Sequence, residues 1–198
     1  MSRDVLIVPT GTANLASVQA AFRRLGALPR LAEQGVQIEQ ADHVVVPGVG
    51  TFGASMARLR AAGFEAPLRA RLQAGRPTLG FCVGLQVMCA GSDESPGATG
   101  LGLVPSHVGR FPDSVRTPQF GWNVIAPDPA CRILQPGYAY FANSFRVAEP
   151  PPGCAVAMAD HGGPFIAGFE KAGVVACQFH PELSGAYGRD LLARWLAA

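Results

Sequence analysis

Cys82 stands in the run Gly80-Phe81-Cys82-Val83-Gly84, between the apolar stretch Thr78 to Phe81 and a segment, Leu85 to Ala90, whose apolar residues recur at helical spacing. A nucleophile on a sharp strand-to-helix turn is forced into a strained backbone conformation. Its neighbours two positions away must then be small, and Gly80 and Gly84 meet that need. Such a turn lifts the sulfur above the sheet edge. The N-terminus of the following helix favours thiolate over thiol, and the Val83 N–H, just after the nucleophile, is free to donate to an oxyanion. Taken alone, the five residues fit a buried thiol between two glycines equally well.

A thiol of this kind needs a base. Among His43, His107, His161 and His180, only His180 follows a buried apolar run, Val174 to Phe179, and it leads into Pro181-Glu182. In an extended segment residues i and i+2 face the same side, so His180 and Glu182 point together. One ring nitrogen then faces the sulfur while the other donates to the carboxylate, giving nucleophile, base and orienter. On its own, His-Pro-Glu reads as a turn with a surface ion pair; together with the cysteine elbow it reads as catalytic.

The intervening elements must bring positions 82 and 180 together. Val5 to Val8 and Val44 to Val46 are continuous apolar runs, as in strands covered on both faces. Leu15, Val18, Ala21, Phe22 and Leu25 fall at helical spacing before Gly26, and Met56 to Leu72 is helical in pattern with Gly63 and Pro67 dividing it. Alternating strand and helix argues for parallel βαβ units. Ser92 to Gly102 reads as a polar surface loop. Val104 to Phe169 reads as antiparallel hairpins, and about Ser184 to Leu196 as a terminal helix. The predicted architecture is one α/β domain spanning 1–198, a mixed, mostly parallel sheet flanked by helices with an antiparallel patch in its second half.

Composition narrows the function classes. The 198 residues carry 16 basic and 14 acidic side chains, a net charge of +2, with 48% apolar residues. This balance gives no electrostatic case for nucleic acid or an anionic membrane surface. No apolar run reaches the roughly 18–20 residues of a membrane span, and the first eight residues are too short and too acidic for a signal peptide. The five cysteines form no C-x-x-C pair, so neither a disulfide framework nor a zinc site is expected, and the compartment is predicted to be the reducing cytoplasm. No phosphate-binding glycine loop is present.

Five segments then acquire a common meaning. Pro47-Gly48-Val49-Gly50-Thr51-Phe52-Gly53, the elbow extended to Leu85-Gln86, Pro118 to Asn123, Tyr140-Phe141, and Gln178 to Gly185 occur in one order and register. Together the chain resembles the class I, triad-type glutamine amidotransferases, and within them the glutaminase subunits of imidazole glycerol phosphate synthase. The Pro-Gly-Val-Gly and Gly-Trp-Asn segments separate this group from the anthranilate and pyridoxal phosphate glutaminases. The resemblance implies that Cys82 attacks the carboxamide of L-glutamine, that His180 moves the proton, and that Glu182 holds the imidazole. It implies no metal or other cofactor. Ammonia would pass to a separate (β/α)8 cyclase subunit in a heterodimer of histidine biosynthesis.

The resemblance also assigns secondary roles. With Val83, the loop Gly48-Val49-Gly50 corresponds to the oxyanion hole; Gln86, Ser144 and Phe145 to the glutamine-holding positions; and Asn14, Gly121, Trp122 and Asn123 to the partner interface, Trp122 being otherwise a core aromatic. The glycines flanking Val49 allow a peptide to rotate, so one oxyanion donor is expected to point away at rest and to turn inward in the loaded complex. The chain departs from the family pattern at Pro9-Thr10, Gln119-Phe120 and Asn143-Ser144-Phe145. Three alternatives stay open on sequence: an amidotransferase serving another acceptor, a non-catalytic docking subunit, and a stand-alone thiol hydrolase or redox sensor.

Overall fold

The computed structural model describes residues 3–11 and 14–198. Its elements run β1 (Asp4–Ile7), α1 (Leu15–Arg24), β2 (Leu28–Leu31), α2 (Gly35–Gln40), β3 (His43–Val46), α3 (Phe52–Ala61), α4 (Glu65–Gln73), β4 (Thr78–Phe81) and α5 (Val83–Gln86). There follow β5 (Gly91–Ser92), β6 (His107–Arg110), β7 (Gln119–Pro127), β8 (Gly137–Asn143), β9 (Phe145–Arg146), β10 (Ala155–Asp160), β11 (Pro164–Lys171) and β12 (Val174–Cys177). A 3-10 turn (Pro181–Leu183) and α6 (Gly185–Ala197) close the chain.

The main sheet has the order β2-β1-β3-β4-β12-β11-β10-β7-β8. The first five strands pair in parallel and the last four add antiparallel neighbours. A small second sheet joins β5, β6 and β9. The apolar runs read from the sequence occupy the centre because both faces are covered. Val5, Ile7 and Val45 pack with Phe22 of α1 and Trp195 of α6, while Leu6, Val44 and Val46 pack with Met56 and Leu68 of α3 and α4. Full burial of each such side chain stabilises by roughly 1.5–3 kcal/mol.

Several elements differ from the sequence reading, the short α2 among them. β2 was not expected, because Leu-Pro-Arg-Leu is an exposed edge strand and carries no buried apolar run. Pro67 does not divide the long helical segment, since it sits in the first turn of α4, where a missing N–H costs nothing; Gly63, at φ +71°, makes the break alone. The helix after Cys82 is one turn, not a run to Ala90. The carbonyls of Val87, Met88 and Cys89 are taken by the N–H groups of Leu101, Leu103 and Gly102 instead of continuing a helix.

One buried cation ties this framework together. Arg71 of α4 is 2% exposed, and all five of its N–H donors are used. Nε donates to Thr78 Oγ1, one terminal nitrogen to the carbonyls of Ile38 and Ala41, and the other to those of Asp42 and Pro77. Burial pushes its guanidinium down to about 10, so it stays charged at neutral pH. It thereby fixes the end of α2 and the starts of β3 and β4, the strands that lead to the Pro47 loop and to Cys82. Arg71→Met leaves four carbonyls without this donor. It should cost about 3 kcal/mol and lower Tm by about 10 °C, measured by thermal unfolding.

Candidate active site

Cys82 is the N-cap of the one-turn α5, at φ +51° and ψ −109°. A non-glycine residue in this region stores roughly 1–3 kcal/mol of strain. The surroundings impose it: the Cys82 N–H donates to the carbonyl of Cys177 at 2.7 Å, carrying the β4–β12 pairing one residue into the turn. The glycines are required by close approach. A Cβ on Gly84 would lie 1.8 Å from the Val46 carbonyl oxygen, and one on Gly80 2.9 Å from that of Gly84. The elbow is thus pressed against the end of β3.

β12 lies beside β4, so the chain leaving Cys177 arrives at the sulfur. His180 Nδ1 lies 2.9 Å from Glu182 Oε1, and the two side chains are 5% and 6% exposed. The Cys82 side chain lines the same cavity and is an electrostatic partner of the imidazole. With Nδ1 engaged by Glu182, Nε2 is left for the sulfur. The geometry behind this pairing differs from the extended segment read from sequence. Pro181 opens a 3-10 turn, with Leu183 N–H donating to His180 C=O at 3.1 Å, so the carboxylate curls back under the ring. Two bonds fasten the turn to β8: His180 N–H to Tyr140 C=O at 2.9 Å, and Tyr140 N–H to Ser184 Oγ at 2.9 Å.

Burial would push the His180 imidazole down, but hydrogen bonds and charge from Cys82 and Glu182 outweigh it and hold it up at about 10. The site is therefore arranged for an imidazolium between a sulfur and a carboxylate. Burial pushes Cys89 up to about 12 and Cys131 up to about 11, and Cys177 well above the ordinary value, so these remain neutral.

Cys82 and His180 line a cavity of about 320 Å³, at the small end of the roughly 300–1,000 Å³ typical of small-molecule sites. Val49, Gly50 and Val83 line it from the Pro47 loop and the elbow, and Gln86, Ser144 and Phe145 line it as well. Two expected roles change. The Val83 N–H is not free, because it donates to the Gly48 carbonyl at 3.4 Å. The Gly48–Val49 peptide thus presents an acceptor where an oxyanion would need a donor. A Cβ on Gly48 would lie 2.8 Å from Val83 Cβ, and Gly50 sits at φ +95°. Thr10, one of the departures from the family pattern, pins this loop by donating from Oγ1 to the Pro47 carbonyl at 2.6 Å. Gln86 lines the cavity, but its amide nitrogen donates to Phe145 C=O at 3.3 Å and Gln178 Oε1 at 3.1 Å. Both N–H groups are spent, so only its oxygen remains for a ligand. The short α5 also removes the long helix expected to stabilise the thiolate; His180 supplies the positive charge instead.

Two lining or neighbouring groups escaped the sequence reading. Glu94 reaches the cavity from the segment taken as a surface loop, with Oε2 accepting the Phe52 N–H at 2.7 Å. Gln178, wholly buried, donates from Nε2 to Cys82 Sγ at 3.6 Å. Glu94 has no sequence signal beyond being a carboxylate in a Gly/Ser-rich stretch; Gln178 was adjacent to the His-Pro-Glu run.

The positions assigned to an interface fall into two kinds. Asn14 caps α1, its side chain accepting from Ser17 N–H at 3.2 Å, and Asn123 Nδ2 donates to Asp160 C=O at 2.8 Å. Trp122 is 57% exposed, which removes the core reading, and it stands with Phe120, Val124 and Tyr138 on one outward face of β7–β8 beside Gly121. Phe120 also lines the cavity, so the exposed aromatic face begins at the site's mouth. Among the described residues no group of three or more His, Cys, Asp or Glu could hold a metal ion, and no helix is long and apolar enough to cross a membrane.

A cysteine elbow facing a His–Glu pair above a mixed sheet defines a class, and the chain belongs to it: the class-I glutamine amidotransferase family, whose model matches residues 27–197. Within that family it is similar over nearly its whole length to proteins named imidazole glycerol phosphate synthase subunit HisH. The one from Thermus thermophilus is 39% identical over 194 residues, 98% of this chain and 96% of that protein. The one from Methanothermobacter thermautotrophicus is 38% identical over 195 residues, 97% of each. The fold is shared with a solved glutamine amidotransferase at TM-score 0.79 and 21% identity over 98% of this chain and 97% of that one. It is shared also with a putative GMP synthase subunit from Thermoplasma acidophilum at TM-score 0.74 and 17% identity, over 100% of this chain and 94% of that one.

The elevated His180 value has a measurable sign. The stability it contributes is fully present below pH 6.5 and is lost as pH rises through about 10. Tm should fall across that window in the native protein and fall less steeply in Glu182→Gln, followed by calorimetry. Parallel slopes would mean that the imidazole is not held charged by its partners.

Proposed function

We propose that this chain is the glutaminase subunit of imidazole glycerol phosphate synthase, acting in the cytoplasm in histidine biosynthesis, with 1–198 forming one catalytic domain. The observation that carries the reading is the buried His180–Glu182 pair at 2.9 Å beside the sulfur of a strained elbow, in a chain of this family. Cys82 adds to the side-chain carbonyl carbon of L-glutamine. The resulting tetrahedral centre collapses as His180 delivers its proton to the departing nitrogen, so ammonia leaves and a γ-glutamyl thioester remains. His180 then takes a proton from water, whose oxygen attacks the thioester, and glutamate departs with the thiolate regenerated. Glu182 keeps Nδ1 protonated and Nε2 facing the sulfur throughout. Glu94 supplies the anion that the substrate's α-ammonium requires, with the Gln86 oxygen beside it and the Ser144–Phe145 backbone against the other end.

The oxyanion donors are incomplete at rest, because Val83 N–H is occupied by the Gly48 carbonyl at 3.4 Å. Rotating the Gly48–Val49 peptide frees Val83 N–H and turns the Val49 N–H inward, so turnover is gated by that rotation. The partner is a (β/α)8 cyclase subunit seated on the β7–β8 aromatic face, where its loaded state can act on the cavity mouth through Phe120. Ammonia in neutral water is mostly protonated and a poor nucleophile, which gives this docking its chemical purpose.

Glutamate release should be slow for the chain alone and rise by at least about 100-fold with the cyclase and its nucleotide ligand, an oxyanion donor being worth about 10²–10³ in rate. Cys82→Ala should abolish it. Full activity without the partner would remove the gating, and turnover that persists in Cys82→Ala would remove the mechanism. His180→Ala should lose more activity than Glu182→Gln, since orientation is only part of what the triad supplies. Trp122→Glu should weaken the heterodimer at least tenfold by calorimetric titration while leaving thermal unfolding of the free chain within about 1 °C, as an exposed aromatic anchor would.

A further inference from the structure

The side chain of Gln178 is wholly buried beside the sulfur, and its orientation is fixed by a single backbone atom. The Phe145 carbonyl can only accept. It receives the Gln86 amide nitrogen at 3.3 Å and the Asn143 amide nitrogen at 2.9 Å. Gln86 therefore presents its second N–H to Gln178, at 3.1 Å, and the Gln178 atom receiving it must be the oxygen. The amide nitrogen of Gln178 is thereby turned to Cys82 Sγ at 3.6 Å, an ordinary length for a donor to sulfur. A carbonyl on the substrate wall thus decides, through two amides, that the nucleophile faces a donor.

We propose that Gln178 is a positioning residue for the reaction: its amide N–H holds the Cys82 sulfur in place and stabilises it as thiolate, with Gln86 and the Phe145 carbonyl preventing the amide from turning over. A donor to sulfur strengthens when the sulfur is charged, so it favours thiolate, the form that attacks. It also restrains the Cys82 side chain through a contact separate from the His180–Glu182 pair. The other titratable groups at the cavity with the sulfur are His180, with Glu182 behind it, and Glu94. None of them is altered by substituting Gln178.

The inference rests on reading Cys82 as the nucleophile, and its test separates the two. Gln178→Met keeps the length of the side chain, removes the donor, and leaves Gln86 its Phe145 carbonyl. Gln178→Asn keeps an amide but withdraws it by one methylene. In both, the pH midpoint for alkylation of Cys82 by iodoacetamide should rise by about one unit, slowing alkylation at neutral pH about tenfold. With the cyclase present, kcat for glutamate release should fall about tenfold while KM for glutamine stays within about twofold. Should Gln178→Met not fold, the Asn variant carries the same comparison. An unchanged alkylation midpoint, with or without loss of kcat, would overturn the proposal and leave Gln178 as packing. A shifted midpoint in a chain that releases no glutamate would instead keep the proposal and remove the glutaminase reading.

Discussion

The bond from Cys82 N–H to the Cys177 carbonyl, 2.7 Å long, fixes the relation on which the site depends. It extends the parallel pairing of β4 and β12 past the last regular residue of β4, and in doing so holds Cys82 at a positive φ that an isolated chain would leave. The same pairing delivers Gln178 and His180 from the end of β12 to the neighbourhood of the sulfur. Ninety-eight residues separate Cys82 from His180 in the chain (180 − 82), and one strand-to-strand step separates them in space. The strain of roughly 1–3 kcal/mol at the elbow is offset by the packing of the two core layers, and Arg71 secures the neighbouring strand starts.

Around that fixed centre the walls differ in character. The Ser144–Phe145 wall is locked, since Phe145 C=O receives two side-chain amides and Phe111 N–H donates to Ser144 C=O at 3.2 Å. The Gly48–Val49 wall includes a longer bond. Its acceptor contact with Val83 N–H is long at 3.4 Å, whereas Thr10 grips Pro47 just upstream at 2.6 Å. A firm anchor followed by a peptide flanked by glycines is the arrangement expected of a hinge rather than of a uniformly flexible loop. The His180 turn, for its part, is bonded to Tyr140 on β8, whose ring lies against Trp122 on the exposed face. Contact at that face therefore has a short route, through ring contact and hydrogen bond, to the His180 turn.

How far the sequence made this legible follows from where each signal resides. Val44 to Val46 and Val5 to Val8 are legible because a strand buried on both faces must be apolar throughout, and the elbow because a sharp strand-to-helix turn asks for small residues two positions either side of its nucleophile. β2 was invisible, since an exposed edge strand has no apolar pattern to show, and so was α2, whose six residues are too few for periodicity. The length of α5 depends on carbonyls captured by residues 101–103, and the 3-10 turn at Glu182 on its docking against β8; neither is a local property. The occupied Val83 N–H, Glu94 at the cavity and the aim of the Gln178 amide are all set by contacts between distant segments. The grouping of Cys82, His180 and Glu182 was readable from residue types and spacing, but its means of assembly was not.

The central claim is covalent: that Cys82, and no other thiol, carries the γ-glutamyl group during turnover. The most direct measurement is acid-quenched mass spectrometry of the chain with its cyclase partner, its nucleotide ligand and L-glutamine under turnover, followed by peptide mapping. A γ-glutamyl adduct confined to the peptide containing Cys82, labile to hydroxylamine and missing when L-glutamate replaces L-glutamine, is the result this account predicts. Steady glutamate release with that peptide unmodified at every quench time, or the adduct on Cys89, Cys131, Cys154 or Cys177, would contradict it.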